Sequence, residues 1–163
     1  MKVAITGHSA GIGQALTKLF EQNGHEVVGL SRRNGLNIRS LPRVAGTIEP
    51  CDMLINNAQV GFAQTELLFE MVRRWQGQEK YIVNISTEMT ASMVSPKVEW
   101  DEYLIQKKSL ELAQELLEKR NTWPKQLLVR PGMIATQPGQ RPPAYRDVDE
   151  YAQEVYEWIQ RNI

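Results

Sequence analysis

The sequence predicts an α/β fold: a doubly wound, mostly parallel sheet with helices on both faces. Three observations carry this expectation. Short β-branched apolar runs alternate with amphipathic helical patterns along the 163 residues. The first run turns into a helix through a glycine-rich loop. No internal repeat, low-complexity tract or linker interrupts the alternation. Strands alternating with helices imply βαβ units, and βαβ units imply a parallel sheet.

The first run, "KVAIT" at residues 2–6, reads as a buried strand. "GHSAGIG" follows, and then a helical segment over 14–24 in which Leu16, Leu19 and Phe20 recur at helical spacing before Gly24 ends it. "HEVVGLS" at 25–31 is a second strand. "CDMLINNA" at 51–58, "KYIVNIS" at 80–86 and "KQLLVRPG" at 125–132 are three more. Helical patterns occupy 65–75 and 101–120, and a last one starts at Asp147. The stretch between Ser31 and Cys51 breaks the alternation. A parallel crossover needs about a dozen residues, and only a few separate the second strand from "LNI". That tripeptide is therefore expected as a stub strand or an extended loop, with a short helix in "LPRVAGTIE". Residues 131–147, rich in proline and glycine, read as one long loop inside a single domain spanning 1–163.

Composition narrows the partners. Nineteen basic residues balance nineteen acidic ones, which gives no charge excess to draw nucleic acid or an anionic membrane. No apolar run approaches the roughly 18 residues of a membrane span, and "MKVAITGHS" lacks the apolar region of a signal peptide. These features point to a soluble, cytoplasmic protein. The single cysteine, Cys51, excludes an internal disulfide framework and reads as a buried thiol. His8 and His25 stand apart from other ligand types, so no metal is expected.

The glycines of the first turn, Gly7, Gly11 and Gly13, fit a phosphate cradle. A turn from a parallel strand into a helix brings backbone N–H groups and the helix dipole to one point. Glycines there permit the tight turn and the close approach of a pyrophosphate. After the second strand come Ser31, Arg32 and Arg33, and two adjacent guanidiniums suit a phosphate. Tyr103 and Lys107, one helical turn apart, share a helix face.

The glycine loop, "NNA" at 56–58, the Tyr–Lys pair and "RPG" at 130–132 occur in that order on matching elements. In this ordered set the chain resembles the short-chain dehydrogenase/reductase family, as an unusually short member. The resemblance implies a Rossmann-like dinucleotide-binding domain with built-in catalytic residues and a preference for NADP(H) over NAD(H). Cofactor contacts would come from Gly7, His8, Ser9, Gly11, Ile12 and Gly13; from Ser31, Arg32, Arg33, Asn37 and Ile38; from Asn57 and Ala58; from Tyr103 and Lys107; and from Pro131, Gly132, Ile134 and Thr136. Tyr103 would be the general acid/base. Its ordinary pKa of about 10 is too high for a good base near neutrality, and Lys107 would lower it. Ser86 or Thr87 would polarise the carbonyl, and the sequence leaves the choice open.

Departures from the family pattern matter as much. Gln59 stands where the family has glycine. The helix at 65–75 has no asparagine for the proton relay, and the last strand of longer members is missing. One function leads, with two alternatives behind it. The first is an NADP(H)-dependent oxidoreductase acting on a small carbonyl or secondary alcohol. The second is a catalytically impaired NADP(H)-binding sensor or scaffold, and the third a nucleotide-sugar epimerase or dehydratase. The retained Tyr–Lys pair favours chemistry over sensing. The helix of Tyr103 carries Leu104, Ile105, Leu112, Ala113, Leu116 and Leu117, a wider apolar band than one sheet face needs. A homodimer or homotetramer is expected from it.

Overall fold

The computed structural model describes residues 1–95 and 97–163. Its strands are β1 (Lys2–Thr6), β2 (Glu26–Leu30), β3 (Met53–Asn56), β4 (Tyr81–Ile85) and β5 (Lys125–Val129). Its helices are α1 (Gly11–Gln22), α2 (Leu41–Ile48), α3 (Ala63–Arg74), α4 (Met89–Ser92), α5 (Val98–Glu118) and α6 (Val148–Asn162). The five strands form one parallel sheet in the order β2-β1-β3-β4-β5, the Rossmann-like arrangement expected.

Helices on both faces explain why the central strands read as unbroken apolar runs. One apolar cluster joins Ala4, Leu54 and Ile82 to residues of α2, α3 and α5, among them Val44, Leu68 and Leu110. The other joins Val3, Ile5, Met53, Ile55 and Val83 to α1 and α6 through Leu16, Phe20, Ala152, Val155 and Ile159. Cys51 is buried in the first cluster, and burial raises its thiol to about 11. Among the described residues no helix is long and apolar enough to cross a membrane.

Every strand read from the alternation forms, with ends trimmed by one to a few residues. Two details differ. Residues 36–38 make no strand, so the stub-strand alternative is not realised. Their polar groups are satisfied locally: Leu36 N–H donates to Ser31 C=O, Arg39 N–H to Asn37 Oδ1, and Ser40 N–H to Asn37 C=O. Ile38 drops into the core, and β2 stays at the sheet edge. The single-turn helix α4 was not expected, because four residues carry no periodic signal. It is held by Thr90, whose hydroxyl donates to Thr87 C=O at 2.8 Å.

Strand order fixes where a ligand can sit. The chain runs outward from β1 to β2 and then returns across β1 to β3. This reversal opens a crevice at the carboxyl ends of β1 and β3. The glycine loop leaves β1 there, and Asn57 and Ala58 leave β3 beside it.

Candidate active site

Thr6, the last residue of β1, clamps the two turns of the crevice together. Its buried hydroxyl accepts the N–H groups of Asn57 at 2.9 Å and Ala58 at 3.0 Å. The Asn57 amide returns a hydrogen bond to Thr6 C=O at 2.9 Å. The glycine loop closes tightly over this clamp. Gly7 and Gly11 adopt φ of 73° and 53°, where a side chain is strained. A Cβ on Gly13 would lie 2.3 Å from Gly7 O, so only glycine lets α1 start so close to β1.

The N-terminus of α1 has no side-chain cap and no acidic residue in its first turn. Its first N–H groups lack intrahelical acceptors, as in any helix, and the dipole there favours an anion. Arg32 and Arg33 are exposed beside this turn, and Arg33 Nη1 reaches Ser9 C=O at 3.4 Å. Ser31 lies buried at the end of β2. The His8 ring lies over Gly29, where a Cβ would meet it at 2.4 Å. Helix N–H donors with the Arg33 guanidinium close by fit a phosphate-bearing ligand. Thr136 closes the loop from the far side, its methyl 3.2 Å from where a Gly11 Cβ would be. Ile134 is buried in the core, Gly132 lies under the Glu88 carboxylate, and Pro131 C=O accepts the Glu88 N–H. Asn37 and Ile38 are tied to a local turn and the core respectively. Asn37 Oδ1 accepts the Arg39 N–H, and Ile38 is buried among the apolar residues. Gln59 donates to Gln106 Oε1 and to Gly61 C=O, so its side chain is tied to α5.

The chemistry-bearing residues gather at the ends of β4 and α5. Ser86 and Thr87 face different partners. Ser86 Oγ donates to Glu111 Oε1 at 2.6 Å, which removes its hydroxyl from the crevice. Thr87 lies against the Tyr103 phenol instead. Lys107 is almost fully buried, and its ammonium donates to Gln64 Oε1 at 2.9 Å and Ile85 C=O at 2.8 Å. Its nitrogen stands 5.7 Å from the centre of the Tyr103 ring. The expected lowering of the phenol is not found. Burial pushes Tyr103 above its ordinary range, and the Thr87 hydroxyl only opposes that rise. Burial also pulls Lys107 down to about 8, against the attraction of Glu111.

Two residues of this region carry no sequence signal. Glu111 sits behind β4, where burial would raise its carboxyl. Bonds from Arg130, Ser86 and Thr90 outweigh that and hold it at about 2. The Arg130 contact is two-pronged, Nε and Nη2 each 3.0 Å from a carboxylate oxygen, a strong geometry. Gln64, in the first turn of α3, is the buried residue that receives Lys107. Both act through contacts to residues distant in sequence.

Residues 3–101 match the model of the NAD dependent epimerase/dehydratase family. No curated protein matches the chain in sequence. Solved structures resemble it in fold. A bulky-bulky ketone specific alcohol dehydrogenase from Comamonas testosteroni superposes with TM-score 0.76 at 20% identity, over 98% of this chain and 82% of that one. A short chain dehydrogenase from Burkholderia cenocepacia in complex with NADP gives 0.75 at 17%, over 98% and 84%. An alcohol dehydrogenase from Thermococcus sibiricus complexed with 5-hydroxy-NADP gives 0.75 at 18%, over 98% and 91%.

The Glu111 cluster predicts an acid-sensitive stability. A carboxyl at about 2 in the folded chain, against an ordinary value of 4.5, stabilises fully above pH 4.5 and loses that contribution as pH falls toward 2. Glu111→Gln should therefore unfold about 2–3 kcal/mol more easily in urea near pH 7. The gap between wild type and variant should shrink steadily below pH 4.5. A gap that stays constant to pH 3 would contradict this assignment.

Proposed function

The chain belongs to the NAD dependent epimerase/dehydratase family. From that premise we propose an NADP(H)-dependent oxidoreductase that moves hydride between nicotinamide and a small carbonyl or secondary alcohol. The observation that carries this reading is the meeting of Thr87, Tyr103 and Lys107 beside the glycine loop's crevice. Gly7, Gly11 and Gly13, with the α1 N–H groups, would hold the pyrophosphate, and Arg32 and Arg33 the 2′-phosphate. Bound NADP(H) supplies the hydride donor or acceptor. In reduction the substrate carbon gains hydride while its oxygen takes the Tyr103 proton. Thr87 O–H would donate a hydrogen bond to the same oxygen as its charge grows. A phenol held above its ordinary range keeps its proton near neutrality, so Tyr103 is in the form that can donate it.

A second reading is supported by the family match itself: epimerisation or dehydration of a nucleotide-linked sugar, in which bound cofactor returns to its starting state. The two readings differ in net turnover, because only the oxidoreductase consumes NADPH in proportion to product.

The face of α5 away from the sheet supports a homodimer or homotetramer. Ile105, Leu112 and Leu116 are half-exposed there, while Leu104, Ala113 and Leu117 are buried. The apolar band thus divides between the core and an open face. Leu112→Glu with Leu116→Glu should convert the oligomer to monomer in sedimentation velocity. Wild type sedimenting as a monomer at micromolar concentration would contradict the assembly.

Binding and chemistry separate in one set of variants. The four tryptophans give a fluorescence signal for bound reduced nicotinamide. Arg32→Ala with Arg33→Ala should weaken NADPH binding by about a hundredfold, each lost phosphate contact removing roughly 1.4 kcal/mol, and leave NADH binding nearly unchanged. Tyr103→Phe should bind NADPH normally and lose about 10²–10⁴ in kcat for carbonyl reduction. Intact turnover in Tyr103→Phe would overturn the acid/base role.

A further inference from the structure

We infer that Gln64 is the positioning residue of Lys107: its side-chain amide fixes the direction and the occupancy of the buried amine's hydrogen bonds. The inference deepens the proposed function, on which its catalytic meaning rests.

The amide orientation is dictated by its surroundings. Gln64 Nε2 donates to two backbone carbonyls, Asn56 O at 2.6 Å and Ile85 O at 2.9 Å. These are the carboxyl ends of β3 and β4, the strands that flank the site. Both amide hydrogens are thereby spent. Turning the amide over would set its oxygen against two carbonyl oxygens and its NH₂ against the Lys107 ammonium. Only one orientation satisfies all three contacts, and it points Oε1 at Lys107 Nζ, 2.9 Å away. Asn56 is held in turn, its amide donating to Gln64 C=O and to Asn84 Oδ1. Asn84 continues to Gln114 on α5, the helix that carries Lys107. The amine therefore sits in a frame anchored on β3, β4, α3 and α5 together.

The frame matters because, among the described residues, no carboxylate is bonded to the buried ammonium. The nearest candidate, Glu111, gives its oxygens to Arg130, Ser86 and Thr90. Lys107 instead has two neutral acceptors, Gln64 Oε1 and Ile85 O. Three N–H donors against two acceptors leave one donor uncommitted among the described residues. With two donors pinned, the third direction is fixed by the tetrahedral nitrogen. A positioned donor, rather than a mobile charge, is what Gln64 provides to the crevice.

The test follows the Lys107 amine directly, in enzyme without cofactor or substrate. NMR of ¹³Cε-labelled lysine, assigned with Lys107→Met, gives its titration midpoint. Gln64→Leu removes the acceptor while nearly keeping the volume. It should lower the midpoint by about one pH unit, a tenfold change in the protonation equilibrium. Gln64→Glu puts a carboxylate at the same atom and should raise the midpoint by a similar margin. If the leucine variant does not fold, the glutamate variant carries the test by itself. Midpoints of folded variants that stay within about 0.3 unit of wild type would overturn the inference. With NADPH and a reducible carbonyl, Gln64→Leu should cut kcat about tenfold or more while KM for NADPH moves by less than threefold. Its pH–rate profile should shift with the amine. Should wild type reduce no carbonyl while the midpoints move as expected, the proposed reaction fails and the anchoring of Lys107 stands.

Discussion

A primary amine is buried at the carboxyl end of the sheet, and much of the site follows from keeping it there. Removing an ammonium from water costs several kcal/mol unless acceptors replace the lost hydration. Here the replacements are the last carbonyl of β4 and the amide of Gln64. That amide is oriented only because the last carbonyls of β3 and β4 lie side by side. The parallel register of β3 with β4, from Met53 against Tyr81 to Asn56 against Asn84, sets that adjacency. Sheet geometry thus reaches the amine through one side chain.

The same economy appears at the crevice. Thr6 gathers the turns after β1 and β3 with one hydroxyl, and Gly13 brings the start of α1 against Gly7 O. Behind β4, Glu111 collects Ser86, Thr90 and Arg130. That cluster ties the turn after β4 to α5 and to the residue after β5. It leaves Thr87, not Ser86, beside Tyr103. Positioning of the phenol is consequently a property of three strand ends and one helix.

Much of this was legible in the sequence, and the reason is local. Alternating apolar runs determined five strands because each is buried on both sides or at one covered edge. The glycine loop was legible because its backbone demands glycine, as the 2.3 Å approach at Gly13 makes concrete. Tyr103 and Lys107 stood out through the ordered motifs that resemble the short-chain dehydrogenase/reductase family, since a four-residue spacing alone marks any helix face. What was not legible depends on contacts across the chain. Gln64 meets a lysine 43 positions away, and Ser86 a glutamate 25 away. Neither partner announces itself in a linear pattern. The segment 36–38 offered two conformations of equal standing to the sequence, and local hydrogen bonds around Asn37 selected the loop. Lys107 was expected to lower the Tyr103 phenol, but burial governs that group and the amine is committed elsewhere.

Hydride transfer is the reaction proposed at this crevice, and isotope tracing follows the hydride itself. NADPH carrying deuterium at the reactive nicotinamide carbon would be incubated with the protein and a panel of small aldehydes and ketones. Mass spectrometry of the products follows. At least one alcohol should bear a single deuterium on its carbinol carbon, formed in proportion to NADP⁺. Tight NADPH binding with no deuterium in any product, and no NADP⁺ formed, would contradict the proposed reaction.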